Sequence, residues 1–442
     1  VDLMRVLPRA AAAASLAAGG YLATCGDEGR RAALLGLARL DERLRPALAT
    51  VLPAEAFVCL YSASRAPFLR ALGASAGGDP APAPAAAAAP PLRAMGLSFR
   101  NDLGNAAGLD KDGTLLDLSY GLGAGFAVVG TVLSEPHTGN VFRFLGGLWE
   151  GNAWTPLPLS GGALNSLGLP SKGVDEALRN IAAFRERRGV APQRVERGAG
   201  AGSRSRAAAP AAASPPAAFP IGVSIMGHPA HGDAAQKLEG VLHCVRRALP
   251  LADFIEINES CPNVHHGGGG GGGGGATVEL RKRLQAVVAV RDAAAREQGG
   301  RRVPILVKLG DLGDPKETVR FLSRLGIDGV VALNTQKDYD AFELPDADRG
   351  LLQFYTQRHG GGLSGPPIRE RSIAQVAAAQ RAVRQLRLEN TFTVIHVGGL
   401  QCGDDVRASR ATGAELRQWY TGLMHGLAQP APESLYSRIT AA

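Results

Sequence analysis

The sequence predicts an α/β fold, a (β/α)8 or TIM barrel preceded by a small helical module. Three observations carry that prediction. Eight short apolar runs alternate with amphipathic helical stretches across residues 96–428. Consecutive βα units of this kind build a closed parallel sheet with helices outside. Polar residues and glycines gather just after these runs, at the strand ends where such barrels carry their chemistry. Finally, hydrophobic residues make up 45% of the 442-residue chain, enough for one large core plus appendages.

The elements follow in order. Residues 1–25 hold Arg5, Arg9, a single acid at Asp2 and many alanines. That composition suits an organellar transit or anchor segment, or a plain Ala-rich tail. Its apolar part, 10–25, is too short and too weak for a spanning helix. In residues 26–74, Leu34, Leu35, Leu37, Leu40 and Leu44 recur at helical spacing. Pro46 and Pro53 punctuate this stretch, and a second apolar helix is predicted over 54–60. Two readings fit: a helical hairpin packed on the main domain, or a slot for a lipid-soluble partner or membrane surface. A Gly/Pro/Ala linker spans 75–95. Low-complexity insertions at 189–218 and 265–276 read as surface-loop additions, because neither can bury a core. Residues 429–442 are a C-terminal tail.

The barrel strands are predicted at 103–107, 126–132, 221–226, 254–258, 305–309, 329–334, 391–397 and 415–420, with helices such as 174–187, 234–249, 277–296 and 373–387 between them. The eighth strand breaks the pattern. Glu415 and Arg417 make it more polar than a buried parallel strand should be.

The formal charge of +8 does not point to nucleic acid. It comes from an Arg-rich bias with only seven lysines, and no basic block interleaves with aromatics. Cys25, Cys59, Cys244, Cys261 and Cys402 form no CxxC pair, so neither a disulfide framework nor a zinc site is expected. His265 and His266 border a glycine run without a third ligand, and no metal is predicted.

The rim residues suggest particular chemistry. Gly365, Gly398, Gly399 and Thr421 follow the last three strands, where backbone N–H groups can approach a phosphate. Lys111 and Lys308 end strands and can neutralise an anionic substrate or a reduced cofactor ring. Asn165, Asn258, Asn263 and Asn334 bring carboxamides suited to a ring with alternating C=O and N–H groups. Cys261, in "INESCPNV", could take a carbon-bound proton. Taken alone, it reads better as an inert buried cysteine.

Together, "NAAGLDKDG", "VVGTV", "GNVFRF", "NSLGLPSKG", "NESCPN", "ILVKL", "ALNT", "GGLSGPPIRERS", "VGG" and "WYTG" resemble the dihydroorotate dehydrogenase family, in chain order over about residues 96–425. That resemblance implies an FMN-containing barrel that oxidises dihydroorotate to orotate in pyrimidine synthesis. By position, Ala106, Ala107, Gly108, Thr131, Ser224, Asn258, Lys308, Gly365, Gly398, Gly399, Tyr420 and Thr421 resemble the FMN-contacting set. Lys111, Asn165, Ser166, Leu167, Gly168, Leu169, Asn258, Asn263, Asn334 and Thr335 resemble the substrate-contacting set. Cys261 falls on the catalytic base, implying that it takes the C5 proton while hydride leaves C6 for the flavin.

The resemblance has two sides. The quinone-reducing class of the family normally carries Ser as base, and the soluble class carries Cys. "NSLGLPSKG" and Ser224, where the quinone class usually has Asn, also look soluble-class. Yet the helical module resembles the quinone class's N-terminal extension, and Arg143 and Tyr420 fall where that class lines its quinone tunnel. The arginine-proline run that usually precedes "VFR" is missing. The implied acceptor is a quinone, with the helices on the mitochondrial inner membrane. The alternatives are a soluble acceptor such as fumarate, away from that membrane, or a degenerate barrel kept as a binding scaffold.

Overall fold

The structure, a computed structural model, describes residues 26–76, 92–193, 195, 218–259, 278–297 and 300–441. The expectations for 1–25, for most of the linker and for most of the two insertions lie outside these residues. So do Cys261 and Asn263.

Eight parallel strands form one sheet: β1 (Leu103–Asn105), β2 (Ala127–Val132), β3 (Ile221–Ile225), β4 (Phe254–Asn258), β5 (Ile305–Leu309), β6 (Gly329–Ala332), β7 (Thr393–Val397) and β8 (Leu416–Trp419). The order runs β1-β8-β7-β6-β5-β4-β3-β2. The seam between β1 and β2 closes through an isolated parallel bridge, Gly104 to Phe126. The Gly125 N–H donates to Leu103 O at 2.8 Å. The Asn105 carboxamide completes the seam, donating to Val128 O at 2.8 Å and accepting from Val128 N at 3.3 Å. Position 104 must be glycine, since a Cβ would lie 2.6 Å from Phe126 O.

Strand alternation sorts the barrel interior into two layers. Near the strands' N-terminal ends, Phe126, Val128, Phe254, Leu306, Val331, Ile395 and Leu416 pack with Leu97 and Phe99 of an antiparallel hairpin that plugs the base. One step further along the same inward faces stand Ser224, Glu256, Lys308 and Gln418, all buried. The outward residues, such as Val223, Ile255, Val307 and Val394, pack beneath the surrounding helices.

The polar eighth strand is resolved by its partners. Arg417 is 1% exposed and pairs with Asp102 at 2.6 Å, while also donating to Ser409 Oγ and Ala414 O. Glu415 accepts from Val394 N at 2.9 Å and Gln380 Nε2 at 3.0 Å. Burial pushes its carboxyl up to about 7. Polarity here belongs to the seam between sheet and helices, where buried charges must be paired.

The N-terminal module is two helices, α1 (Asp27–Val51) and α2 (Ala54–Ala74). α1 continues past Pro46, and α2 runs beyond the 54–60 stretch predicted for it. Pro46 lies inside α1, and α2 continues through Pro67 to bury Leu69 and Leu72. Tertiary packing outweighs the lost backbone bonds. α2 also buries Phe57, Val58 and Tyr61 with Trp154 and Leu164, which belong to a three-stranded sheet (Ala153–Pro156, Ala163–Ser166, Gly362–Ser364). The leucines of α1 divide into two faces. Leu34 and Leu35 are buried, whereas Leu37, Leu40, Leu44 and Val51 are 46–71% exposed and share one side at helical spacing. No helix among the described residues is long and apolar enough to cross a membrane. The C-terminal segment ends in a helix, Leu435–Thr440, whose Tyr436 OH accepts from Trp419 Nε1 at 2.9 Å.

Candidate active site

A cavity opens at the C-terminal end of the barrel, with about 1010 Å³ of empty space including its open mouth. Its wall draws on the ends of β1, β2, β4, β5, β6, β7 and β8. Ala106, Ala107, Gly108 and Lys111 come from the loop after β1. Thr131, Asn258 and Lys308 close the next strands. Asn334 and Thr335 follow β6, Gly398 and Gly399 follow β7, and Tyr420 and Thr421 follow β8. Asn165, Leu167, Gly168 and Leu169 enter from the three-stranded sheet and its loop, and Gly365 from the turn beyond it.

The loop carrying Lys111 is organised by the residue before it. Asp110 is 1% exposed, and its carboxylate accepts from Gly113 N at 2.8 Å and Leu115 N at 3.2 Å. Burial, then the neighbouring Asp112, raises its carboxyl to about 7. Asp112 pairs with Lys172 at 2.6 Å, and that contact holds the carboxyl of Asp112 below its ordinary range despite burial.

Glycine is required at the cradle. Gly399 has φ +76°, and a Cβ there would sit 2.4 Å from Arg369 Cα. Gly365 has φ +87°, and a Cβ would sit 2.9 Å from Gly161 O. These turns bring bare backbone to the cavity beside Thr421, whose Oγ1 lies 2.9 Å from Ser364 Oγ.

Beneath the wall lies a buried polar chain. Asn258 Nδ2 donates to Thr131 Oγ1 at 3.0 Å, and Thr131 Oγ1 lies 3.1 Å from Ser224 Oγ. Ser224 donates to Glu256 Oε1 at 3.0 Å, and Gln418 Nε2 donates to Glu256 Oε2 at 3.0 Å. Lys308 Nζ is 4.0 Å from Glu256 Oε1.

Three predicted residues sit away from the cavity wall. Ser224 is one layer below it, in the chain just described. Ser166 alternates with Asn165 and turns its hydroxyl toward Asn140, 3.3 Å away. Arg143 stands on the hairpin Phe142–Phe144/Trp149–Gly151, 81% exposed and paired with Glu150 at 2.7 Å. Glu259, the last described residue before Cys261, is anchored at the rim. It pairs with Arg283 at 2.6 Å, and its N–H donates to Lys308 O at 3.1 Å.

Sequence reasoning missed Glu256, Gln418, Trp154 and Arg65. Arg65, on α2, donates to the Tyr420 hydroxyl and lies over the Trp154 ring at 6.0 Å. Tyr420 and Trp154 both line the cavity. The signal for Glu256 was present, as a carboxylate inside the five-residue run "FIEIN".

Comparison with known proteins fits this geometry. The family model described as dihydroorotate dehydrogenase matches residues 92–432. A dihydroorotate dehydrogenase (quinone) from Burkholderia thailandensis is 33% identical over 345 residues, covering 76% of this chain and 81% of that protein. One of the same name from Stenotrophomonas maltophilia is 33% identical over 337 residues, covering 76% and 79%. The crystal structure of Eimeria tenella DHODH in complex with ferulenol shares the fold, with a TM-score of 0.62, 21% identity and coverage of 86% of this chain and 89% of that one. With its motifs gathered on one barrel rim and the family model spanning the whole of that barrel, the chain belongs to the dihydroorotate dehydrogenase family.

Proposed function

We propose that this chain oxidises dihydroorotate to orotate with bound FMN and passes the electrons to a quinone. The observation that carries the reading is the convergence of Lys111, Asn165, Asn258, Lys308, Asn334 and the turn glycines on one cavity. The wall suits a flavin. Ala106, Ala107, Leu333 and Leu400 offer apolar surface to a flat ring. A Cβ on Gly108 would meet only Tyr420, at 4.0 Å, so glycine there leaves room in the cavity. Gln418 Oε1 is buried without a partner among the described residues, an acceptor suited to a ring N–H. Gly365, Gly398, Gly399 and Thr421 would hold the phosphate.

When bound, FMN supplies the two-electron oxidant. The chain supplies the rest. Lys111 offsets the substrate carboxylate, and Asn165, Asn258, Asn263 and Asn334 hold the ring by its C=O and N–H groups. Thr335 and the loop residues Leu167, Gly168 and Leu169 shape the pocket around it. Cys261, outside the described residues, is the base that takes the C5 proton. It lies two positions beyond the anchored Glu259.

The acceptor side is the helical module of residues 26–74, set against the FMN-binding barrel of 96–428. The exposed Leu37, Leu40, Leu44 and Val51 of α1 support a membrane-surface role. Arg65 and Tyr420 support electron transfer at the cavity's edge. Arg143 is proposed here as a surface residue of the hairpin and not as a quinone ligand. The Ala-rich residues 1–25, with Arg5 and Arg9 against the single acid Asp2, favour the mitochondrial inner membrane as the compartment. A second reading, with a soluble acceptor such as fumarate, is favoured by the Cys261 motif and Ser224.

One anaerobic titration separates these readings. Purified protein should be yellow, dihydroorotate should bleach it, and a short-chain quinone should restore the colour. Restoration by fumarate alone selects the second reading. Colourless protein, or colour that dihydroorotate leaves unchanged, overturns both and favours a non-catalytic barrel.

A further inference from the structure

We propose that Glu256 is a positioning residue beneath the pocket, whose carboxylate orients Gln418, Thr131 and Asn258 toward the bound ring and offsets the charge of Lys308. The inference rests on the flavin reading above and deepens it.

Glu256 is 0% exposed. Both its oxygens accept, from Ser224 Oγ and Gln418 Nε2, each at 3.0 Å. A carboxylate only accepts, so each neighbour must donate. Ser224 has one proton and gives it to Glu256. At the 3.1 Å contact between Ser224 and Thr131, Thr131 must therefore be the donor. Thr131 in turn accepts from Asn258 Nδ2. The chain runs one way, from the cavity wall down to the buried carboxylate. The same logic fixes Gln418. Its Nε2 faces Glu256, so its Oε1 remains as an acceptor in a residue that lines the cavity. An amide in place of Glu256 would present a donor to one side and force either the chain or Gln418 to reverse.

The charge has a second effect. Lys308 Nζ is 4.0 Å from Glu256 Oε1, and both side chains are at most 4% exposed. Together they make the pocket floor neutral. Without the carboxylate, the buried ammonium would stand uncompensated and favour the flavin state that carries more negative charge.

The experiment uses the full chain carrying FMN. Bleaching of the wild type by dihydroorotate first establishes the flavin reading. The midpoint potential of the bound flavin and its dissociation constant are then measured for Glu256→Gln and Glu256→Asp. Glu256→Gln should favour the reduced state about tenfold, a positive shift of about 30 mV for a two-electron couple. It should also weaken flavin binding about tenfold, the cost of a misdirected buried hydrogen bond. Glu256→Asp keeps the charge but withdraws the carboxylate by one methylene. It should leave the potential near wild type while still weakening binding. Wild-type potential and affinity in Glu256→Gln overturn the inference alone. If Glu256→Gln does not fold with flavin, Glu256→Asp decides. Unchanged flavin affinity in Glu256→Asp overturns the inference, and weakened affinity at unchanged potential supports it. Wild-type protein that binds no flavin brings down the functional reading, and this inference with it.

Discussion

The barrel rim and the N-terminal helix pair solve opposite problems. At the rim, polar groups are buried and their bonding is directed inward, as in the chain from Asn258 through Thr131 and Ser224 to Glu256. In the helix pair, apolar groups are left outside, with Leu40 52% and Val51 71% exposed. One region holds its partners within the fold, and the other leaves an apolar face exposed. Few polar contacts join them. Arg65 meets Tyr420, Ser62 Oγ donates to Trp154 O at 2.9 Å, and His425 Nδ1 lies 2.7 Å from Glu42 Oε1. The oxidation of substrate and the delivery of electrons should therefore fail separately when each region is damaged.

The largest effect should come from the rim. Cys261→Ala should slow flavin reduction by dihydroorotate roughly 10²- to 10⁴-fold while leaving FMN bound. Stopped-flow bleaching measures it, and vesicle binding should not change. A normal bleaching rate would remove Cys261 from the mechanism. The helix pair should show the converse. Leu40→Glu with Leu44→Glu places two charges on the exposed apolar side of α1. Each half-exposed leucine withdrawn from a membrane is worth about 1 kcal/mol, so binding to anionic vesicles should fall at least tenfold. Turnover with a long-chain quinone should drop with it, while bleaching by dihydroorotate stays at the wild-type rate. A variant that still binds vesicles would sever the exposed leucines from membrane docking.

The sequence made these two regions unequally legible. Barrel strands such as "ILVKL" and "AVVGTV" announce themselves as short apolar runs, and their ends could be read for polar residues. Alternation within a strand was harder to use. The family motif groups Ser166 with Asn165, yet a strand sends neighbours to opposite faces. Glu256 and Gln418 go unread in the sequence, because the groups they meet lie on other strands, 32 and 162 residues away. Arg417 was suspect for the same reason, since Asp102 lies 315 residues away. In the helix pair, leucine spacing revealed α1 but not which leucines would be covered. That depends on a tertiary surface to which Leu69 and Leu72 of α2 and Leu423 and Leu427 beyond β8 contribute.

A smaller effect should separate the rim from the helix pair by pH alone. Asp110 is buried in the loop that carries Lys111, and its carboxyl is raised from 3.8 to about 7, chiefly by burial. In the unfolded chain it ionises near its ordinary value. Between about pH 4 and pH 7, the folded protein therefore holds a proton that the unfolded chain has lost. Stability from this group is full below the unfolded pKa and falls as pH rises toward about 7, then levels off. Glu415 acts in the same direction but is present in both proteins of a comparison. Asp110→Asn cannot ionise, and its amide oxygen can still accept from one of the two loop N–H groups. Urea unfolding at about pH 5 and about pH 8 should show wild type losing on the order of 2 kcal/mol more than the variant across that interval. The α1 double variant should track wild type, because its substitutions lie on the exposed face. Equal pH slopes in wild type and Asp110→Asn would mean that the Lys111 loop is wetter than its hydrogen bonds imply, and that the rim's polarity is less closed than that of a buried network.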